Sequence, residues 1–210
     1  MAGDGRKVII FDFDGTIADS FLVLLEIFNE MADIYKYEKV VGKDVPLFQN
    51  LSSRQVMQRF GVPKWKLFFI VRKGKKLFRA KLPQVSPVEG MRETLVMLRE
   101  RKYALGILTS NAEKNVRDFL AAHGIDVFDF VYSENNLFGK ARALKKIMRR
   151  HGFLPDKTAY VGDETRDIEA AKKNGLMSVA VSWGFNSKEV LEKFTPDYLA
   201  EQPQELLKIF

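Results

Sequence analysis

Two aspartates, Asp12 and Asp14, follow the apolar run Val8–Phe11 near the start of the 210-residue chain. The segment Lys7 to Phe13 is β-branched and aromatic and predicts a buried strand, and the Asp14-Gly15-Thr16 cluster at its end is typical of a turn. Side chains alternate along an extended chain, so we expect both carboxylates on the same side of it. Acids this close repel each other unless a cation joins them, which predicts metal-assisted nucleophilic or acid/base chemistry. The alternative is a polar turn at a strand end.

Three further groups of polar residues follow predicted strands or open predicted helices in the second half of the chain. They are Ser110 with Asn111, Lys140, and Asp163 with Asp167. Asp163 and Asp167 are four residues apart and lie on one helical face if a helix begins there. Active residues of parallel sheets lie beyond the carboxyl ends of the strands, so all four groups are expected at one edge. Lys140 has a second interpretation, because the basic residues after it are typical of a solvated helix face.

The elements that must position these residues alternate between helix and strand from residue 88 onward. Alternation of this kind predicts an α/β fold, a Rossmann-like parallel sheet with helices on both faces. Strands are predicted at 103–109, 128–132, 158–161 and 177–182 and near Tyr198, and helices at 90–101, 113–123, 140–152 and 165–174 and after Pro203.

A helical stretch separates the first strand from the rest of the predicted sheet. Residues 17–87 are expected to form an inserted α-helical domain, while residues 1–16 and 88–210 form the α/β core. No strand is predicted within the insertion. Its helices are predicted at 20–37, 44–50, 52–60 and 63–82, before a linker marked by Pro83 and Pro87.

Composition restricts the chemistry and the partners. The chain has no cysteine, so catalysis must use carboxylates, hydroxyls, amines or its 2 histidines. Ten of its 34 lysine and arginine residues lie between Asp44 and Glu89, where there is no acidic residue. This run makes a polyanion-binding module the alternative function, although no nucleic-acid motif accompanies it and no specific nucleic acid is expected. The first apolar run is too short for a signal peptide or a membrane span, so we expect a cytoplasmic protein without a membrane partner.

The four groups of polar residues together resemble the motifs of a known family. The strings Asp12-Phe-Asp-Gly-Thr16, Ser110-Asn111, Lys140 and Gly162-Asp163-x-x-x-Asp167, in this order and spacing, resemble the four motifs of the haloacid dehalogenase superfamily. The insertion resembles the helical cap of its phosphoglycolate phosphatase and β-phosphoglucomutase branch, and Leu51-Ser-Ser-Arg54 resembles the cap segment of that branch. The resemblance covers nearly the whole chain. It departs at Ala141, where this branch commonly has proline.

This resemblance implies a magnesium-dependent phosphatase that hydrolyses a small phosphomonoester, such as phosphoglycolate, through an aspartyl-phosphate. Asp12 is then the nucleophile, and Asp14 protonates the leaving oxygen and afterwards activates water. Mg²⁺ is expected to be held by the carboxylates of Asp12 and Asp163 and by the backbone carbonyl of Asp14. A sugar-phosphate phosphomutase is the alternative enzyme, because an acceptor hydroxyl would merely replace water at the same residues.

The resemblance also implies roles for the residues that would hold the phosphoryl group. Lys140, Ser110 and Asn111 are expected to bind its oxygens, whose charge must be stabilised in the transition state. Thr109 is the alternative to Ser110 if the motif is shifted by one residue. Asp167 is expected to orient Lys140 or a metal-bound water.

Two charged residues outside the four motifs have open assignments. Arg54 is a candidate substrate contact, and the alternative is an arginine on the surface of a helix. Glu164 is either a further metal ligand or an acid at a helix N-terminus, and we favour the second interpretation.

Overall fold

The structure is a computed structural model that describes residues 7–134 and 139–210, so residues 1–6 of the predicted core lie outside it. Every predicted helix and strand corresponds to an observed element. The strands are β1 Val8–Phe11, β2 Ala18–Asp19, β3 Ser86–Pro87, β4 Ala104–Thr109, β5 Phe130–Ser133, β6 Thr158–Gly162, β7 Met177–Val181 and β8 Tyr198–Ala200. The helices are α1 Phe21–Tyr35, α2 Val45–Gln49, α3 Ser53–Arg59, α4 Leu67–Lys81, α5 Met91–Glu100, α6 Glu113–Ala122, α7 Lys140–His151, α8 Thr165–Lys173, α9 Lys188–Lys193 and α10 Leu206–Ile209.

The larger sheet has 6 strands, all parallel, in the order β5-β4-β1-β6-β7-β8. Strand β1 lies at its centre, where Phe11 pairs with Ile107 of β4 on one side and with Val161 of β6 on the other. The carboxyl ends of these strands therefore meet at one edge of the sheet. The residues that follow β1, β4 and β6 are the polar groups of the sequence motifs, and the fold brings them together.

Buried apolar side chains cover both faces of this sheet. Ile9 and Phe11 pack with residues of α5 and α6 on one face, and Val8 and Ile10 pack with residues of α7 and α8 on the other. All four side chains are almost inaccessible to solvent. Burial on both faces requires a strand without polar positions, which is the sequence that β1 has. The predicted α/β fold with helices on both faces is confirmed.

Helices α1 to α4 form the helical insertion. Helix α1 packs against α4, and α2 and α3 join α1 through a cluster of aromatic rings, Phe28, Phe48 and Phe60. Phe185, in the loop after β7, extends this cluster, with a distance of 4.9 Å between its ring centroid and that of Phe48. The insertion therefore packs on the core through aromatic contacts. None of the helices in the described parts of the chain is both long and apolar enough to cross a membrane.

The prediction that the insertion contains no strand is wrong. Strands β2 and β3 form an antiparallel ribbon, with Ala18 opposite Pro87 and Asp19 opposite Ser86. Each strand has only 2 residues, which is too short to produce a side-chain periodicity in the sequence. The pairing arises because the chain leaves the core and returns to it at the same place. The domain boundaries at 17 and 87 stay predictions.

One helix of the core, α9, has no counterpart among the predicted elements. It begins after Ser187, whose hydroxyl accepts a hydrogen bond from the backbone N–H of Val190 at 3.4 Å. It has only 6 residues, too few for a recognisable helical period. Its formation depends on packing, because buried Leu191 contacts Ile168 of α8 and Ala180 of β7.

Gly106 in β4 tests how closely the sheet is packed. A Cβ atom there would lie 2.1 Å from ring atoms of Phe130 on the neighbouring strand. We predict that Gly106→Ala lowers the free energy of unfolding by about 1–3 kcal/mol, because the ring must shift. Gly42→Ala is the matched control, since nothing lies within 4 Å of its added methyl group. Urea denaturation measures both variants, and a Gly106→Ala protein as stable as the wild type would contradict this packing.

Candidate active site

Asp12 lies directly after β1, and its carboxylate is buried. The backbone N–H of Phe13 donates a hydrogen bond to Oδ1 at 2.8 Å, and the ammonium nitrogen of Lys140 lies 2.5 Å from Oδ2. Lys140 is the first residue of α7, and its side chain is also buried. Partners on both oxygens hold the Asp12 carboxylate in one orientation.

Lys140 connects Asp12 to a second buried acid, because its Nζ also lies 2.5 Å from Oδ1 of Asp167. Burial alone would lower the pKa of Lys140, but the carboxylates of Asp12 and Asp167 raise it above its ordinary value. Burial raises the pKa of Asp167 to about 6, although the charge of Lys140 opposes this shift. The lysine is therefore a charged group shared by two acids.

Asp163 follows β6 and accepts hydrogen bonds from two different loops. Thr16 Oγ1 donates to Oδ1 at 2.8 Å, and the backbone N–H of Phe185 donates to Oδ2 at 2.7 Å. Burial and the nearby charge of Asp12 raise the pKa of Asp163 well above its ordinary value. A carboxylate in such surroundings keeps its charge only when a cation compensates it.

Two glycines leave the space that the Asp163 side chain occupies. A Cβ atom at Gly15 would lie 2.2 Å from Oδ2 of Asp163, and one at Gly184 would lie 2.4 Å from the same atom. Gly15 also has a φ of +74°, a conformation that favours glycine. The sequence motif includes Gly15, but sequence analysis missed Gly184, whose only signal is its position shortly after a predicted strand.

The acids at this edge of the sheet fit a divalent cation. Asp12, Asp163 and Asp167 each offer a carboxylate oxygen, and these oxygens lie within 4.8 Å of one another. Carboxylate oxygens are the ligands that Mg²⁺ prefers. A cation here would offset the burial and the repulsion from Asp12 that raise the pKa of Asp163. The cluster contains Asp12 and Asp163 of the predicted ligands and adds Asp167 beside them.

Asp14 has surroundings that differ from those of Asp12. Its carboxylate accepts hydrogen bonds from Asn111 Nδ2 at 3.0 and 3.2 Å and from Ser20 Oγ at 3.2 Å. Burial and the charge of Asp12 raise the pKa of Asp14 to about 7. A carboxyl group with this pKa is protonated in part of the molecules at neutral pH, so it can both donate and accept a proton.

The two candidate hydroxyl residues after β4 have different environments. Thr109 is fully buried, and its Oγ1 accepts a hydrogen bond from the backbone N–H of Asn111 at 2.9 Å. Ser110 is half-buried and lines a cavity together with Asp14. Asn111 is held in turn by Asn115, whose Nδ2 donates to Asn111 Oδ1 at 2.9 Å. Of these two residues, Ser110 lines the cavity and Thr109 does not.

Glu164 connects the core to the helical insertion. Its carboxylate accepts a hydrogen bond from Ser53 Oγ in the insertion at 2.6 Å and another from the guanidinium group of Arg166. Burial alone would raise the pKa of Glu164, but the charges of Arg166 and Lys140 hold it below its ordinary value. Glu164 is also the N-cap residue of α8, as the favoured interpretation of an acid at a helix N-terminus requires.

A cavity of about 270 Å³ lies between the insertion and the carboxyl edge of the sheet. Asp14, Ser110 and Asp163 lie on its core side. A second cavity of about 170 Å³ also touches Asp14 and Ser110, and it contains Lys75 of α4. In the sequence, Lys75 is one of the ten basic residues between Asp44 and Glu89, and nothing there distinguishes it from the others. Apolar residues from the insertion line most of the larger cavity, among them Leu24, Phe28, Phe48, Val56, Met57 and Ile70.

Arg54 lies away from these two cavities. Its side chain is exposed, and it lines a third cavity of about 120 Å³ with Ser53, Lys140 and Arg166. The other predicted site residues converge at the carboxyl edge of the sheet, whereas Arg54 lies beside the contact between the insertion and α8. Its predicted contact with the substrate stays a prediction.

Comparison with known proteins gives results that agree with this geometry. Residues 9–181 match the family model of the haloacid dehalogenase-like hydrolases. The chain is 37% identical over 203 residues to a phosphoglycolate phosphatase from Synechococcus elongatus, covering 96% of each protein. It is 26% identical over 216 residues to the pyrophosphatase PpaX of Halalkalibacterium halodurans, covering 97% of this chain and 96% of that protein.

A solved structure shows the same fold. The haloacid dehalogenase-like family hydrolase from Streptococcus pneumoniae is 23% identical, matches with a TM-score of 0.81 and covers 98% of both chains. The family match over residues 9–181 and the 37% identity to the Synechococcus elongatus protein establish that the chain belongs to the haloacid dehalogenase-like hydrolases. The predicted resemblance is confirmed, and so is the class of enzyme, a phosphatase of this family.

Lys140→Met tests the charge balance of the site. The substitution leaves buried Asp12 and Asp167 without the cation that they share. In metal-free solution at about pH 8, we predict a loss of about 3–5 kcal/mol in the free energy of unfolding.

This loss should depend on pH. The pKa of Asp167, about 6 in the wild type, rises further in the variant, so the folded variant binds protons that the unfolded chain does not. The loss should therefore shrink as the pH falls from about 8 to about 5.5. Urea denaturation across this range measures it, and a loss that is independent of pH would contradict the proposed balance.

Proposed function

We propose that this protein is a magnesium-dependent phosphatase that hydrolyses a small phosphomonoester, with phosphoglycolate as the first candidate, through an aspartyl-phosphate. The observation that carries the proposal is the difference between two neighbouring acids. Asp12 is held by Lys140, whereas Asp14 has a pKa of about 7 and lines a cavity. The similarity to the phosphoglycolate phosphatase of Synechococcus elongatus supports the choice of substrate.

The first step transfers the phosphoryl group to the enzyme. An oxygen of Asp12 attacks the phosphorus atom, and a bond from phosphorus to Asp12 forms as the bond to the ester oxygen breaks. The leaving oxygen takes a proton from Asp14. Because the pKa of Asp14 is about 7, its protonated form is available at neutral pH.

The second step restores the enzyme. A water molecule attacks the phosphorus atom of the aspartyl-phosphate and gives a proton to the Asp14 carboxylate. The bond from phosphorus to Asp12 breaks, so that inorganic phosphate leaves and both acids return to their starting states. Hydrogen bonds from Asn111 and Ser20 hold Asp14 in place for both proton transfers.

Charged and polar groups around Asp12 would stabilise the transferred phosphoryl group. We assign Lys140, Ser110 and Asn111 to its oxygens. Mg²⁺, when held by Asp12, Asp163 and the backbone carbonyl of Asp14, supplies positive charge that shields the phosphate from the attacking carboxylate. Asp167 keeps the ammonium group of Lys140 in position, because the two lie 2.5 Å apart.

Ion pairs within the protein favour the enzyme over a polyanion-binding module. Several residues of the basic run neutralise acidic side chains of the same molecule, which reduces the positive charge available to a polyanion. These pairs join Arg59 to Glu38, Arg79 to Asp118, and Lys81 to Glu26 and Glu30.

A panel of phosphorylated metabolites, assayed with and without magnesium, tests the proposed function. A phosphatase releases inorganic phosphate, and phosphoglycolate should be among its good substrates. A phosphomutase would instead convert one phosphate ester into another without net release of phosphate. Absence of release from every phosphomonoester in the panel would overturn the proposal.

Substitution of the two acids should affect different steps. Asp12→Asn should reduce kcat by at least about 10³-fold and abolish the phosphoenzyme, because an amide is a poor nucleophile. Asp14→Asn should reduce kcat by about 10²–10⁴-fold with phosphoglycolate. With p-nitrophenyl phosphate, whose leaving group needs no proton, the Asp14 variant should still form phosphoenzyme and hydrolyse it slowly. Rapid acid quench measures both steps, and equal loss of both in the Asp14 variant would rule out its proton-transfer role.

The metal requirement should depend on Asp163 far more than on its neighbour. Chelation should eliminate activity and added Mg²⁺ should restore it. Asp163→Asn should raise the Mg²⁺ concentration for half-maximal activity by about 10–100-fold. The matched control Glu164→Gln should change it by less than about threefold, since Glu164 is bound to Ser53 and Arg166. Calorimetric titration with Mg²⁺ gives a second readout, and equal affinities in the two variants would contradict the assignment.

A further inference from the structure

Two cavities meet at the acid that would protonate the leaving group. Asp14 and Ser110 line both the cavity of about 270 Å³ and the one of about 170 Å³. Leu24 and Val71 of the insertion also belong to both. A substrate whose phosphoryl group lies at Asp12 therefore directs its leaving group from Asp14 into one of these two spaces.

The two cavities differ in chemistry. The larger one is lined mostly by apolar side chains of the insertion, and the Arg166 guanidinium at its wall is bound to Glu164. A carboxylate placed against these apolar groups would lose its hydration without a compensating partner. The smaller cavity contains Lys75, whose ammonium group is a suitable partner for an anion. A negatively charged leaving group is thus favoured in the smaller cavity.

Contacts with the core fix the segment of α4 that contains Lys75. The side-chain amide of Asn115 donates to the backbone carbonyl of Lys75 at 3.3 Å and to Oδ1 of Asn111 at 2.9 Å. Asn111 in turn donates to Asp14. A short series of hydrogen bonds thus connects the backbone of Lys75 to the proposed general acid.

The Lys75 ammonium group interacts electrostatically with Asp14, the proposed general acid. Its side chain is half-buried, and this burial lowers its pKa, while the carboxylates of Asp14 and Glu134 oppose the shift. Arg54, the candidate from sequence, lines a different cavity and is exposed.

We propose that Lys75 binds a carboxylate on the leaving group and so selects phosphate esters of short hydroxy acids over esters of neutral alcohols. The proposal rests on the proposed phosphatase function and specifies its substrate class. Lys75 acts on the part of the substrate that distinguishes one ester from another, whereas the groups around Asp12 act on the phosphoryl group that all esters share. Loss of Lys75 should therefore change selectivity more than it changes the chemical steps.

The test compares phosphoglycolate with ethyl phosphate, in which a methyl group replaces the carboxylate. The measured quantity is the ratio of kcat/KM for phosphoglycolate to kcat/KM for ethyl phosphate. Lys75→Met should lower this ratio by about ten- to a hundredfold, which corresponds to loss of one charged hydrogen bond. Lys76→Met removes the same charge from the neighbouring, exposed position of α4 and should leave the ratio within about threefold of the wild type.

Each other outcome has a distinct meaning. If the wild type hydrolyses phosphoglycolate and Lys75→Met keeps its ratio, the proposal for Lys75 is overturned and the phosphatase function stands. If the wild type hydrolyses ethyl phosphate but not phosphoglycolate, both the proposed substrate and the role of Lys75 are wrong. Circular dichroism reports whether Lys75→Met folds, and Lys75→Gln, which keeps a polar side chain of similar length, provides the same comparison if it does not.

Discussion

The burial of the Asp12 carboxylate beside a lysine is the constraint on which the site depends. The nucleophile role proposed for Asp12 requires a carboxylate that is charged and held in one orientation, but a buried carboxylate without a partner loses its hydration at a cost of several kcal/mol. Lys140 meets both needs, since its ammonium nitrogen lies 2.5 Å from Asp12 and 2.5 Å from Asp167. The lysine compensates two acids only, which leaves Asp163 with a pKa raised well above its ordinary value by burial and by Asp12. That remaining imbalance is the physical reason for the divalent cation that we propose.

The fold holds these charged groups in place because they lie at the ends of strands and at the starts of helices. Strand β1 lies between β4 and β6, so Asp12, Ser110 and Asp163 follow neighbouring strands at the same edge. Lys140 begins α7, and Asp167 lies in the first turn of α8. Rigid elements therefore set the distances between charges, while the insertion, which contacts Glu164 through Ser53, supplies walls of the two cavities proposed for the leaving group.

The parts of the fold and of the site that depend on local sequence pattern can be predicted from the sequence. Asp12 and Asp163 were predicted because each follows a predicted strand, and Lys140 because it begins a predicted helix. The alternation of helices and strands predicted the parallel sheet. Features that tertiary packing decides cannot be predicted in this way. The β2–β3 ribbon and α9 are too short to have a period, Gly184 matters only because Asp163 packs against it, and Lys75 differs from its basic neighbours only through how α4 packs on the core.

The steric course at phosphorus tests most directly whether Asp12 is a covalent nucleophile. Two in-line displacements, first by Asp12 and then by water, each invert the phosphorus centre, so together they retain its configuration. A phosphate ester made chiral at phosphorus with sulfur and oxygen isotopes, hydrolysed in isotopically labelled water, gives a product whose configuration can be assigned. We predict net retention. Net inversion would show a single attack by water and would contradict the role assigned to the carboxylate that Lys140 holds.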